Sequence, residues 1–101
     1  MPDYYVVDLA RGPAWDSGKA RRLQADWDAH GDFMDGLVEE GFVVLGGPIG
    51  ALDGDEAMLV VNAGSEEEVR KRLSLDPWAD GVLSIRDVRP WTIWLRRHER
   101  A

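Results

Sequence analysis

Residues 27–48, WDAHGDFMDGLVEEGFVVLGGP, narrow the choice of fold more than any other part of the chain. Apolar side chains recur at helical spacing, Gly41 supplies a stop, and Phe42-Val43-Val44-Leu45 is apolar at every position before Gly46-Gly47-Pro48. A helix that passes so directly into a buried strand has to lay its apolar stripe on a sheet. His30 stands on that stripe, near the middle of the helix. Two readings of it stay open: a core histidine with one satisfied nitrogen, or a proton-transferring group in a site.

Upstream, Leu23, Trp27, His30, Met34, Leu37 and Val38 keep the period and predict one helix over residues 19–40. Asp16 or Ser17 would cap it. Gly31 and Gly36 each cost about 1 kcal/mol against alanine in a helix interior, so a bend near either is expected to be cheap. Gly41 suits the C′ position.

The other elements follow from composition and turn chemistry. Residues 4–9 predict a first strand, residues 42–45 a second that Gly46-Gly47-Pro48 ends as a turn, and residues 56–63 a third, paired to the second as a hairpin. Ser65 with Glu68 matches a capping box for a second helix, whose apolar edge is Val69, Leu73 and Leu75. Asp76-Pro77 interrupts that helix. Residues 82–88 form a fourth strand, Pro90 breaks it, and residues 91–95 read as an extension or a short fifth strand. The order is βαββαβ: an α+β, ferredoxin-like plan with a four-stranded antiparallel sheet and two helices on one face. Because residues 42–45 and 58–61 are apolar at odd and even positions alike, the uncovered face needs a partner. A homodimer through the sheet faces is the expected solution.

Length fits one domain over residues 1–95, with a charged tail over 96–101. The net charge of −7 disfavours nucleic acid as a partner. No window is apolar enough for a membrane span, and the N-terminus is unlike a signal peptide, so a cytoplasmic location is expected. With no cysteine there is neither disulfide nor thiolate nucleophile. Five tryptophans in so short a chain imply a core, an interface or a pocket built with indole. Trp27, Trp78, Trp91 and Trp94 are candidates to line such a pocket.

If His30 acts, it needs an orienting carboxylate, and Asp76, where the second helix gives way to a loop, is the best candidate. Asp-Pro is also a common helix end, and spacing alone cannot bring the two residues together. Gly46-Gly47-Pro48 lacks the lysine and glycine spacing of a phosphate loop. Two histidines, one in the tail, give no metal-ligand pair, and His30 with Asp26 or Asp35 would be incomplete, so neither metal nor cofactor is expected.

His30, Phe33, Leu37 and Gly41, then Gly47-Pro48 after an apolar strand, then Asp76-Pro77-Trp78, Gly81 and Pro90-Trp91, resemble in their order the YciI-like (YCII-related) family of small bacterial proteins. The resemblance covers residues 4–95. It implies a dimeric α/β barrel version of the ferredoxin-like fold and an active site made of a histidine and an aspartate, which by motif are His30 and Asp76. Some relatives remove HCl from a chlorinated hydroxyquinol. For this chain, the expectation is a small-molecule enzyme of lyase or isomerase type acting on a cyclic or aromatic substrate, with Trp27, Gly47, Pro48 and Trp78 in contact with it. The alternative is a non-catalytic dimeric module that binds a small molecule or a protein, with His30 and Asp76 as a structural pair.

Overall fold

The computed structural model describes residues 3–97; the expected tail lies outside them from His98 onward. Strand β1 (Tyr4–Arg11) is followed by helix α1 (Trp27–Glu39), β2 (Val43–Pro48), β3 (Glu56–Asn62), α2 (Glu66–Leu73) and β4 (Leu83–Trp91). The strands form one antiparallel sheet in the order β2-β3-β1-β4. This is the expected ferredoxin-like α+β plan.

Alternation along the strands decides where the helices lie. Val7 and Leu9 of β1, Ala57, Leu59 and Val61 of β3, and Val88 of β4 are buried on one face, where Leu37 of α1 and Val69 and Leu73 of α2 meet them. On the other face, Asp8 and Asp87 pair across the β1–β4 ladder, and Arg89 bonds both, at 3.0 and 3.1 Å. That face is therefore charged at the β4 side. It is apolar towards β2, where Leu45 pairs with Val60 and is 63% exposed.

Helix α1 is shorter than its apolar period suggested. It starts at Trp27, after a single 3₁₀ turn at Arg21–Leu23 and a left-handed Asp26 with φ of 60°. The cause is Gln24. Its buried amide accepts from Asp16 N and donates to the carbonyls of Asp16 and Lys19, at 2.8, 2.8 and 2.9 Å, and so closes the preceding loop on itself. Local side-chain bonds of this kind compete with helix. Asp16 accordingly turns its carboxylate to Gly18 N and caps no helix, and Leu23 is left exposed. His30 thus sits one turn from the helix start and not mid-helix. Gly31 and Gly36 interrupt nothing. The helix closes with Gly41 at φ +80°, where Gly41 N bonds Val38 O and Phe42 N bonds Leu37 O, a Schellman ending.

Two prolines expected to end strands belong to them, Pro48 as the last residue of β2 and Pro90 with one strand residue beyond it. Pro48 and Pro90 belong to β2 and β4, the two edge strands, where a missing N–H facing outward costs no ladder bond. Gly46-Gly47-Pro48 is therefore extended strand and not a turn. The expected fifth strand is absent: beyond Trp91 the described chain is irregular, with Trp94 and Leu95 exposed. Ser65 caps α2 by accepting from Glu68 N at 3.1 Å, as its motif indicated, but Leu75 lies outside the helix and is exposed.

Two glycines separate close approach from mere tolerance. A Cβ at Gly12 would collide with the Gly81 carbonyl and the Ser84 hydroxyl, where Gly12 N bonds Val82 O at 3.0 Å and Ala14 N bonds Gly81 O at 2.9 Å. At Gly36 an added Cβ meets nothing within 4 Å. In urea denaturation, Gly12→Ala should lose about 3 kcal/mol through overpacking and lost backbone bonds. Gly36→Ala should gain about 0.5–1 kcal/mol. Equal effects would contradict this packing.

Candidate active site

Asp76 makes the local structure on which the site rests. It is the N-cap of a 3₁₀ turn over Pro77–Asp80, with proline at the first position, and its Oδ1 accepts from Trp78 N at 2.9 Å. The capping bond fixes the carboxylate in space. The same carboxylate then accepts from His30 Nδ1, at 2.8 Å to Oδ1 and 2.9 Å to Oδ2. Two residues 46 positions apart are so joined, and both side chains are about nine-tenths buried.

Trp78 supports the pair from beneath. It is fully buried, its indole N–H donates to Ala25 O at 2.6 Å, and its ring stacks on the imidazole with centroids 4.0 Å apart and planes within 8°. Trp27 leans on Trp78 at 5.6 Å, and Trp15 meets it edge-on at 6.4 Å. With Val82 and Leu83 these rings form a second, smaller core beside the main one. Trp78 lies beneath the imidazole and does not line the cleft described next. Trp91 lies in a separate hollow with Tyr4 and Arg96, and Trp94 is 89% exposed; neither lines the cleft.

A cleft of about 430 Å³ opens between α1 and the helix-facing side of the sheet. From α1 it is lined by Trp27, His30, Met34, Asp35 and Val38, and from β2 by Gly47 and Pro48. The structure thus brings together three of the expected contacts, Trp27, Gly47 and Pro48, beside His30. Gly46 carries no side chain because Leu59 and the Met58 carbonyl occupy the place of its Cβ, whereas a Cβ at Gly47 would meet nothing within 4 Å. The strand therefore walls the cleft with backbone.

The chemistry follows from which imidazole nitrogen is taken. With Nδ1 held by the carboxylate, the neutral ring carries its proton there, and Nε2 keeps its lone pair. Nε2 makes no hydrogen bond among the described residues and is not sealed from solvent. Among the described residues no three His, Asp or Glu side chains cluster as metal ligands would.

Sequence reasoning missed Arg21. It is 6% exposed, lines the same cleft, and donates from Nη2 to the carbonyls of Gly54 and Glu56, the latter at 2.9 Å. Its Nε is buried with no hydrogen-bond partner among the described residues. Burial pushes the guanidinium below its ordinary range, and Asp55 and Asp53 oppose that shift. The missing signal was the break in the helix: on a continuous helix Arg21 would have been one of several surface cations.

The tautomer can be checked directly. Imidazole ¹⁵N correlation spectra should show His30 with Nδ1 protonated and Nε2 bare in its neutral form, and Asp76→Asn should mix the two tautomers. Trp78→Ala should cost about 3–5 kcal/mol of stability, the range for a buried aromatic. An unchanged tautomer in Asp76→Asn would show that the carboxylate does not set it.

Among solved structures, 5-chloro-2-hydroxyhydroquinone dehydrochlorinase from Burkholderia phenoliruptrix, in complex with 2,5-dihydroxybenzoquinone, is similar, with a TM-score of 0.57 and 19% identity over 90% of this chain and 93% of that one. At that identity the likeness is one of fold. Comparison with curated proteins gives no match. The model of the YCII-related domain matches residues 13–92, a span that holds α1, the glycine-rich edge strand and the Asp76 turn. The chain belongs to the YCII-related domain family.

Proposed function

We propose that this protein is a small-molecule enzyme of lyase or isomerase type in which His30 moves a proton and Asp76 orients it. The observation that carries this reading is the free Nε2 of a carboxylate-held histidine opening on a cleft of about 430 Å³. A cleft of that size suits a single-ring compound. Nε2 takes a proton from a carbon or hydroxyl of the substrate, and the released electron pair forms a new double bond. In an elimination, a leaving group departs with its own pair from the adjacent carbon. In an isomerisation, the proton returns to a different carbon. The dehydrochlorinase of similar fold motivates a halogenated, hydroxylated ring as the first class to try. Backbone N–H groups around Gly47 are the candidates to receive a developing oxyanion.

A purely structural His–Asp pair, in a module that binds without turnover, would have no need of an open cleft beside its unbound nitrogen. Halide release from chlorinated hydroxyquinols separates the two. His30→Ala should lower the rate by about 10²–10⁴, the usual worth of general acid–base catalysis, with its circular dichroism unchanged. Turnover that survives the substitution sinks this mechanism, and a variant affected only in melting temperature favours the binding module.

We also infer a homodimer through the uncovered sheet face. Support comes from Leu45, which is exposed, and half-buried Met58, which put an apolar strip beside the Asp8–Arg89–Asp87 ion pairs. Light scattering at micromolar concentration should give twice the chain mass, and Leu45→Glu should shift it to the monomer. A monomeric wild type removes the claim.

A further inference from the structure

Arg21 is a buried cation with unused hydrogen-bonding capacity. Its Nη2 holds the carbonyls of Gly54 and Glu56, and so ties the loop between β2 and β3 to the segment before α1. That would suffice as a structural role if the rest of the guanidinium faced solvent. Instead the residue is only 6% exposed, Nε is buried and unpartnered, and Nη1, which bonds no described residue, is the part not sealed from solvent. Removing a cation from water without completing its hydrogen bonds is costly. No carboxylate completes them: Asp55 is drawn instead to Arg11 at 2.6 Å. The guanidinium lies over the Trp15 ring, with 5.8 Å from Cζ to the centroid, and Asp55 and Asp53 act on it through space without completing its hydrogen bonds.

This under-satisfied cation lines the cleft that His30 lines. The other walls are apolar or backbone, apart from Asp35, which is exposed at the rim. We propose that Arg21 is the anion-recognising residue of the cleft, and that the compound taken there is a small cyclic acid whose ionised oxygen, carboxylate or enolate, binds the open part of the guanidinium. Its ring lies on Trp27, Met34 and Val38. A guanidinium is charged throughout the working pH range and offers planar, directional donors, so it discriminates for an anion by charge and shape together. Lining the same cleft as His30, it fixes which end of the ring reaches Nε2. This extends the proton-transfer reading by naming the substrate class, but anion recognition itself does not depend on turnover.

The test is a matched pair of probes, benzoate and benzyl alcohol, which share a ring and differ in charge. Binding is followed by tryptophan fluorescence and by amide shifts of Gly31 and Gly47. Wild type should bind benzoate about tenfold or more tightly than the alcohol, the worth of one charge-assisted hydrogen bond. His30→Gln should keep that preference, which locates it at Arg21 even if no turnover is ever found. Arg21→Met should lose it while still taking up benzyl alcohol, and Arg21→Lys, which keeps the charge, should retain part of it and shows whether the loop survives the change. Equal affinity for the two probes in wild type, or a preference that persists in Arg21→Met, overturns the proposal. A preference abolished by His30→Gln alone assigns the anion to the histidine and overturns it as well.

Discussion

One carboxylate holds this molecule's site together. Asp76 accepts from the Trp78 backbone N–H and from His30 Nδ1, so the bond that starts a helical turn also sets a tautomer across the fold. Neither task is unusual separately. Their combination removes the freedom an exposed aspartate would have, because the capping bond fixes the side chain before the histidine arrives. Pro77 adds to this by presetting the turn, and Trp78, the residue capped, is the ring on which the imidazole lies. Carboxylate, turn and aromatic floor come from three consecutive residues. The histidine comes from the first turn of α1, which Asp26 sets off with its left-handed backbone.

The cleft exists because one strand lacks side chains where the helix passes over it. Were β2 valine or leucine throughout, its helix-facing positions would fill the space below α1, as Val43 does further along the strand. Gly46, opposite helix-facing Leu59, yields its place to that side chain, while Gly47, opposite Met58, faces the other side of the sheet. The same glycines weaken an edge strand, and the irregular register between Val43 and Leu45 shows how loosely that ladder is specified.

The fold was legible because period and punctuation agreed along most of the chain: Val7 and Leu9 alternating in β1, Ser65 with Glu68 opening α2, Gly41 closing α1. The start of α1 was not. Leu23 continues the helical period, and nothing local says that Gln24 will fold back on Asp16 and Lys19 and break it. That bond pattern is set by burial of a polar side chain, a tertiary fact. Pro90 misled for a related reason: an edge strand can carry proline and continue past it, and edge position is known only once the sheet order is. His30 and Asp76 were legible as residue types at suggestive places; their contact was not, since no spacing rule spans 46 positions. Arg21 gave no signal, because a cation's worth depends on what fails to surround it.

An acidic protein can still take an acid. The net charge of −7 governs the field far from the surface, but exposed charges more than about 8 Å away are largely screened at physiological ionic strength. What a ligand meets inside the cleft is set by the few groups it touches. The nearest carboxylates on the β2–β3 loop are partly committed elsewhere, Asp55 to Arg11, while Asp76 is spent on His30 and Trp78. That leaves a buried guanidinium as the cation lining the cleft, offset through space by Asp55 and Asp53 and from the rim by Asp35. Burial raises the worth of that charge by lowering the local dielectric, the same burial that makes an empty cleft costly. A site of this kind gains most when filled. Ligand binding should therefore be linked to folding, the anion supplying bonds that Arg21 lacks while the cleft is empty.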